Sequence, residues 1–392
     1  MFKLALTALR RIDDTYAYYL KTLGGGSLRS LTKRLSRLRG VAKGMAMADP
    51  APPLPVRLQV ETTDICNLKC VMCTREILGE LNTRSISFDE FVKVVDAIEP
   101  YYVTMNGLGE PLFDDTIFEK LAYLRRMGIS SSMPTNGTLV RHDKLENLVM
   151  NLPDILQLSI DGANRETFEE IRKAGNFSDV LVNFRAICQR RAEGKSRRGT
   201  TIGIECALQR RNLFEFREMY ALYSGLPNVD SFYLVPVFDF DPEGNTFSDI
   251  MPSVDEVREL HRLLDVAIQN ALTPKERAFF ENWRSVSAPW IEERGGYAVK
   301  PDENRHACVV PWYNVYVDAK GRVYPCCFLI ATEHVMGNIF EEPFHNIWTG
   351  VRYREFRDRI AKDRPNLIGC RTCPRNDDSR IGQIKRLGFI IS

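Results

Sequence analysis

Ten cysteines stand against five histidines in a chain of 392 residues. Their placement is the first chemistry the sequence offers. Cys66, Cys70 and Cys73 form C-x3-C-x2-C. Thiolates select soft centres, iron–sulfur or zinc. Three on one short loop can hold three corners of a four-iron cluster and leave the fourth iron without a protein ligand. A structural zinc site wants four ligands and no opening, and a ferredoxin spacing supplies a full set. The loop therefore reads as a cluster with an open position. A second set, Cys308, Cys326, Cys370 and Cys373, lies near the C-terminus, with Cys327 beside Cys326. Four thiolates brought together from a hairpin and a later loop make a closed site. Chemistry alone leaves zinc and a four-iron cluster both open there. Cys188 and Cys206 read as core residues, because free cysteine behaves as a small hydrophobe. The histidines show no ligand spacing.

The first thiol loop follows a strand, and that strand opens a regular alternation. Val56–Thr63 is β-branched and reads as a strand, with a helix over Phe88–Ile98 after it. Strands over Tyr102–Asn106, Ile129–Met133, Ile155–Ile160, Thr201–Leu208 and Phe232–Val237 follow. Between them come helices over Ile117–Met127, His142–Met150, Thr167–Lys173, Val180–Glu193 and Leu213–Tyr223. Such alternation implies an α/β fold, a parallel sheet with right-handed crossovers. Six units fall short of the eight that close a full barrel, so a partial (β/α)6 barrel is expected. Val254–Leu272 adds a long helix, and 273–306 reads as an irregular linker. The second thiol set belongs to a small module. Its hairpin over Tyr313–Cys326 turns at Asp318-Ala319-Lys320-Gly321, and its helix runs over Ile347–Ile360. The expected divisions are 1–52 (basic helical extension and linker), 53–272 (barrel), 273–306 (linker), 307–376 (thiol module) and 377–392 (tail).

Composition narrows the classes. At 44% hydrophobic and 27% charged residues the chain is globular, not disordered, collagenous or coiled coil throughout. A net charge of +2 argues against a nucleic-acid binder. No run approaches 18 apolar residues, so no membrane span is expected. The cysteines are too few for a disulfide scaffold, and a reducing cytoplasm would keep them available to metals. The first 48 residues hold ten Lys or Arg against Asp13 and Asp14. Gly24-Gly25-Gly26 splits them into two helical pieces, the second with Leu28, Leu31, Leu35 and Leu38 at helical spacing. This segment reads as an accessory helix packed on the main domain. Its alternative is a basic peripheral contact with a membrane surface or acidic partner. Ala51–Pro55 reads as a stiff linker. Asp239, Asp241 and Glu243 read as a solvated loop after the last core strand.

The string Cys66-Asn67-Leu68-Lys69-Cys70-Val71-Met72-Cys73 resembles the signature of radical S-adenosylmethionine (SAM) enzymes. That family has a six-unit partial βα barrel with the cluster loop after its first strand. Gly109-Glu110-Pro111, at the end of the second strand, is similar to the family's Gly-Glu-Pro motif, with Leu108 in place of the usual preceding Gly. Thr135-Asn136-Gly137 follows the third strand and Ser159-Ile160-Asp161-Gly162 ends the fourth. The resemblance implies that the open iron chelates SAM by its amino and carboxylate groups. It assigns the SAM ammonium to Glu110 and its neighbours Gly109 and Pro111, and the ribose to Ser159 and Asp161. Asn136 is a further ribose candidate, and Arg172 a partner for the SAM carboxylate. Cys308, Gly321, Cys326 and Cys370-x2-Cys373 resemble the SPASM and twitch extensions of this family, which bind auxiliary four-iron clusters. No cysteine follows Cys373, so the pattern allows one auxiliary cluster, as in the twitch form. The closer resemblance is to the 2-deoxy-scyllo-inosamine dehydrogenase group.

The implied cofactors are SAM, a [4Fe-4S] cluster in the barrel and one auxiliary [4Fe-4S] cluster. The implied activity is that of an oxidoreductase. A 5′-deoxyadenosyl radical from SAM takes a substrate hydrogen, and an alcohol carbon of a sugar, aminosugar or cyclitol is oxidised, the auxiliary cluster accepting the electron. A flavodoxin- or ferredoxin-type donor would supply the first electron. The alternatives are a maturase of a ribosomally made peptide, a redox-neutral epimerase or dehydratase, and, more remotely, a non-catalytic metal-binding adaptor. Cys327 could ligate in place of Cys326, donate a hydrogen atom to a substrate radical, or be packed.

Overall fold

The structure, a computed structural model, describes residues 28–75, 83–194, 199–237, 247–292, 308–330, 333–367, 370 and 373. The triple-glycine break, Asp239, Asp241, Glu243 and the 377–392 tail lie outside them.

Helix α1 (Leu28–Met47) comes first, then strand β1 (Arg57–Val60) and the short β2 (Lys69–Cys70). The alternation continues through α2 (Phe88–Ile98), β3 (Tyr102–Met105), α3 (Ile117–Arg126), β4 (Ser130–Thr135), α4 (His142–Met150) and β5 (Ile155–Ser159). Then come α5 (Arg165–Ile171), β6 (Arg172–Lys173), α6 (Phe177–Ala192), β7 (Thr201–Leu208), α7 (Phe216–Gly225) and β8 (Ser231–Pro236). Local chemistry explains the helices. Ser87 and Glu90 form a reciprocal capping box at the start of α2. Phe91, Val94, Val95 and Ile98 then recur at helical spacing and are buried, each such side chain contributing about 1.5–3 kcal/mol.

The six expected strands are present and parallel, in the order β1-β3-β4-β5-β7-β8. Their alternation sorts the side chains. Leu156 and Leu158 of β5, and Ile202, Ile204, Cys206 and Leu208 of β7, are buried on one face of the sheet. Gln157, Ser159 and Glu205 therefore point to the other face.

Three features depart from expectation. Residues 273–306 are not wholly irregular: after α8 (Val254–Gln269), α9 (Pro274–Ser287) is capped by Thr273 with Pro274 in its first turn. Phe279, Phe280 and Trp283 of α9 pack in an aromatic group with Phe216, Tyr220, Tyr223 and Phe232. Secondly, the C-terminal hairpin is no separate sheet. Its strand β9 (Asn314–Val317) pairs parallel to β1, with β10 (Arg322–Tyr324) and β11 (Gly337–Asn338) beyond it. The result is one sheet of nine strands among the described residues. Thirdly, the expected helix over Ile347–Ile360 is two helices, α10 (Phe344–Thr349) and α11 (Val351–Lys362). They break at Gly350, where a Cβ would lie 2.5 Å from the Asn346 carbonyl.

Helix α1 packs on the main body. Leu38, Val41, Ala42 and Met45 are buried in the core, and Arg37 donates to the carbonyls of Leu54, Pro55, Ile98 and Glu99. The proline linker is docked too: Trp348 Nε1 donates to the Pro52 carbonyl at 3.0 Å, and Arg357 to that of Pro50 at 2.9 Å. No helix among the described residues is long and apolar enough to cross a membrane.

Candidate functional site

Cys66, Cys70 and Cys73 occupy a half-buried loop beyond the C-terminal end of β1. Two clamps hold it. Residues Lys69–Cys70 pair antiparallel with Arg172–Lys173, so Cys70 stands opposite Arg172. The Val71 N–H donates to the Ile171 carbonyl at 3.0 Å. On the other flank Asp64 accepts from the N–H groups of Thr83 and Arg84 at 2.7 and 2.9 Å, and Arg75 donates to the Asp64 carbonyl at 2.9 Å. Burial pushes all three thiols up, Cys70 to about 12. Cys73 and Cys66 also raise Cys70. Arg172 Nη1 lies 3.9 Å from Cys70 Sγ and opposes that rise. A cation beside buried thiols that must deprotonate to bind metal suits an iron–sulfur loop.

The Gly-Glu-Pro turn lies against this loop. A Cβ on Gly109 would come within 2.1 Å of the Thr63 carbonyl oxygen, so only glycine fits. Pro111 opens a buried 3-10 turn, and the Glu110 N–H donates to the Ile65 carbonyl at 2.8 Å. The Glu110 carboxylate is held by the protein around it. It accepts from Thr135 Oγ1 at 2.6 Å and from the N–H groups of Asn136 at 2.7 Å and Leu112 at 3.2 Å. Burial raises its pKa.

Asn136, Asp161 and Arg172 are likewise each engaged within the protein. Asn136 donates to Asn67 Oδ1 at 3.0 Å and accepts from the N–H and Oγ1 of Thr138, tying the thiol loop to the end of β4. Asp161 is fully buried, accepts from the Ala207 N–H at 2.7 Å, and pairs with Arg172 Nε at 2.7 Å. Arg172 is thus engaged by Asp161 and Cys70. Burial works against its charge, but Asp161 and Cys70 outweigh burial and raise its pKa. These contacts hold the thiol loop, and Ser159 lies level with Glu205 on β7.

Sequence reasoning missed two carboxylates. Glu205 stands level with Ser159 on β5 and Tyr233 on β8. Burial pushes it to about 7, with Arg172 and Asp161 the charges it feels. The available signal was a lone acid in an alternating strand, Ile202–Leu208. Glu61, just past β1, accepts from the N–H groups of Leu108 at 2.6 Å and Ala319 at 3.1 Å. It joins the turn before Gly109 to the hairpin turn, and burial pushes it to about 7.

Cys308, Cys326, Cys370 and Cys373 line one cavity of about 40 Å³. Arg57 and Gln59 of β1, and Phe356, Ile360 and Arg364, complete much of its wall. Burial pushes the Cys370 thiol to about 12 and that of Cys326 well above its ordinary range. Arg364 opposes the rise at Cys370. Four thiols around a hollow, with arginines in its wall, have the donor set and the charge to take an anionic iron–sulfur cluster. Cys327 heads the turn over Cys327–Leu329 and lines the same cavity. It therefore lies at the second thiol site, beside Cys326. One strand braces both sites: the cavity touches Arg57 and Gln59, and the first loop leaves the other end of β1.

Residues 60–205 match the Radical SAM superfamily, and residues 308–374 match SPASM, an iron-sulfur cluster-binding domain. The chain is 28% identical over 308 residues to an AdoMet-dependent heme synthase of Methanosarcina barkeri, covering 76% of this chain and 83% of that protein. It is 26% identical over 341 residues to the mycofactocin maturase MftC of Mycolicibacterium smegmatis, covering 84% and 78%. In fold it resembles Streptococcus suis SuiB bound to precursor peptide SuiA, with a TM-score of 0.60, 14% identity, and coverage of 92% of this chain and 76% of that one. BtrN, from the 2-deoxy-scyllo-inosamine dehydrogenase group, reaches a TM-score of only 0.45 and carries no argument for that group. The radical SAM domain implies SAM and a [4Fe-4S] cluster, and the SPASM domain implies auxiliary iron–sulfur binding. With three thiols on a loop after β1 and a second thiol cavity braced on that strand, the chain carries a radical SAM domain joined to a C-terminal SPASM domain.

Proposed function

We propose that this chain is a radical SAM enzyme that modifies a peptide. The observation that carries the peptide reading is a double likeness: in sequence to a mycofactocin maturase over most of both chains, and in fold to a protein crystallised with its precursor peptide. Cys66, Cys70 and Cys73 would hold the first cluster, and Cys308, Cys326, Cys370 and Cys373 the auxiliary one. When bound, SAM and the first cluster supply a hydrogen-abstracting carbon radical, and the auxiliary cluster a one-electron acceptor. The chain's own groups do the rest. Arg172 lends positive charge to the Cys70 side of the loop. Asp161 fixes Arg172, and Asn136 fixes Asn67. Glu110 anchors the turn that carries Gly109. Ser159, Glu205 and Tyr233 present a hydroxyl, a carboxylate and a phenol along one face of the sheet, where a substrate and SAM would meet. A small acidic electron carrier of the flavodoxin or ferredoxin type would supply the electron.

The test is anaerobic reconstitution, SAM, a reductant, and peptides encoded beside the gene, followed by mass spectrometry. The expected result is a peptide whose mass changes and whose presence accelerates 5′-deoxyadenosine formation. If aminosugars or cyclitols accelerate it and become ketones while peptides do neither, alcohol oxidation is the right reading. A reaction in deuterated water separates the redox-neutral case, which leaves solvent deuterium on an unoxidised carbon. Failure to cleave SAM at all would leave only a metal-binding adaptor.

A further inference from the structure

Glu61 follows directly on β1, and its buried carboxylate bonds to a turn on either side of that strand. Oε1 takes the Leu108 N–H at 2.6 Å, and Oε2 takes the Ala319 N–H at 3.1 Å. The Glu61 N–H itself donates to the Val317 carbonyl at 2.9 Å, so main chain and side chain both hold the hairpin. Room for the carboxylate is kept by Gly107, where a Cβ would lie 2.5 Å from Glu61 Oε1. Hydrogen bonds to an ionised acceptor are shorter and about twice as strong as neutral ones.

Both turns are stiff. In the hairpin turn Asp318 Oδ1 accepts from the N–H groups of Lys320 and Arg322, each at 2.9 Å. The Gly321 N–H closes the turn on the Asp318 carbonyl at 3.0 Å. Strand β10 runs from there to Tyr324, two residues before Cys326. The other turn carries Gly109, packed on the Thr63 carbonyl, and Glu110, whose N–H holds Ile65, the residue before Cys66. A displacement of the hairpin turn therefore reaches the Gly-Glu-Pro turn through one carboxylate.

We infer that Glu61 is a positioning residue that couples the two thiol sites, so that SAM is held more tightly at the first when the second is filled. The inference rests on the reading that Cys66, Cys70 and Cys73 hold the SAM-binding cluster and that Cys308, Cys326, Cys370 and Cys373 hold an auxiliary one. The coupling is reciprocal by thermodynamic necessity, so bound SAM should also slow hydrogen exchange at the hairpin turn.

Two measurements on the reconstituted full chain test it, both at pH 8, where Glu61 is charged. The first is hydrogen exchange without SAM, read over residues 107–110 and 318–321. Glu61→Gln keeps the volume, loses the charge, and should quicken exchange in both segments at least about tenfold. Ala319→Pro removes the N–H on the hairpin side alone, at the second position of a turn, where proline is favoured. It should quicken exchange at Leu108 as well. The second is anaerobic SAM titration of wild type, Glu61→Gln, Cys370→Ala with Cys373→Ala, and all three substitutions together. Loss of the second cluster should weaken SAM binding about fivefold or more when Glu61 is present. The same loss should cost less than about twofold once Glu61 is Gln. Cleavage at saturating SAM should stay within about twofold of wild type, so that KM moves and kcat does not. Exchange at Leu108 unmoved by Ala319→Pro would overturn the coupling. So would SAM affinity indifferent to the second cluster, or losses that simply multiply when the substitutions are combined. Exchange quickened evenly over the whole chain would overturn it too, by making Glu61 a general support of the fold. A wild type that takes up iron but binds no SAM would instead overturn the reading of the three cysteines, and the exchange data would still decide whether Glu61 links the turns.

Discussion

Glu205 shows how a fold changes the acidity of one carboxyl. It is held among Ser159, Tyr233, Arg172 and Asp161, and burial lifts it from 4.5 to about 7. A carboxyl raised in this way binds its proton more tightly folded than unfolded. Its contribution to stability is full below about 4.5 and is lost as pH rises through 7. Glu205→Gln should remove that loss. Unfolding of the iron-free protein by urea at pH 5 and pH 8 should show a smaller difference for the variant. At pH 8 the variant should gain about 1–3 kcal/mol, bounded by the size of the shift. Parallel pH dependence in the two proteins would assign the effect elsewhere. The residues that could be read in advance were those whose type is their chemistry. Three thiols at that spacing suit few purposes other than metal. A carboxylate declares much less. Glu110, Asp161 and Arg172 are named from the family motif, but that Thr135 and Asn136 donate to Glu110 and that Asp161 pairs with Arg172 is not written in it.

Among the elements, α9 teaches the most. It falls in the stretch expected to be irregular, yet Thr273 caps it and its buried Phe279, Phe280 and Trp283 recur at helical spacing. Their role appears only against α7 and β8, where Phe279 and Trp283 meet Phe232. Trp283 is buried and its Nε1 donates to the Leu213 carbonyl at 3.1 Å. Trp283→Ala should therefore cost about 3–5 kcal/mol, measured as a lowered denaturant midpoint of the iron-free protein. Hydrogen exchange should show faster opening confined at first to β8 and α9. A loss below 1 kcal/mol would mean that the aromatic group repacks freely. Helix α2 was legible to the residue because cap and apolar period agree there, and α4 was legible without a side-chain cap. The break at Gly350 was not: one residue of extended backbone there separates α10 from α11.

At the scale of the molecule, two thiol sites share one strand but no ligand. Reconstituted protein should bind about eight irons. Cys66→Ala, Cys70→Ala and Cys73→Ala together should leave about four and abolish SAM cleavage. Cys370→Ala with Cys373→Ala should also leave about four, with cleavage retained. Iron analysis with Mössbauer spectra checks both counts, and zinc in the second site would refute the auxiliary cluster. The hairpin itself was legible from its turn at Gly321, where φ is +79°. Its destination was not, because nothing local to residues 314–317 marks β1 as their neighbour.

That pairing has a consequence for the nascent chain. Arg57 meets Asn314, so one side of β1 has no partner until 257 further residues have been made. At about 5–20 residues per second the wait on the ribosome is on the order of tens of seconds. For that interval the strand that will brace both thiol sites exposes an open hydrogen-bonding edge, a known route to misassembly. Synthesis halted before residue 314 should leave a barrel that aggregates or engages chaperones, and release of the hairpin should end that vulnerability. The last quarter of the chain thus completes the sheet that the first strand began.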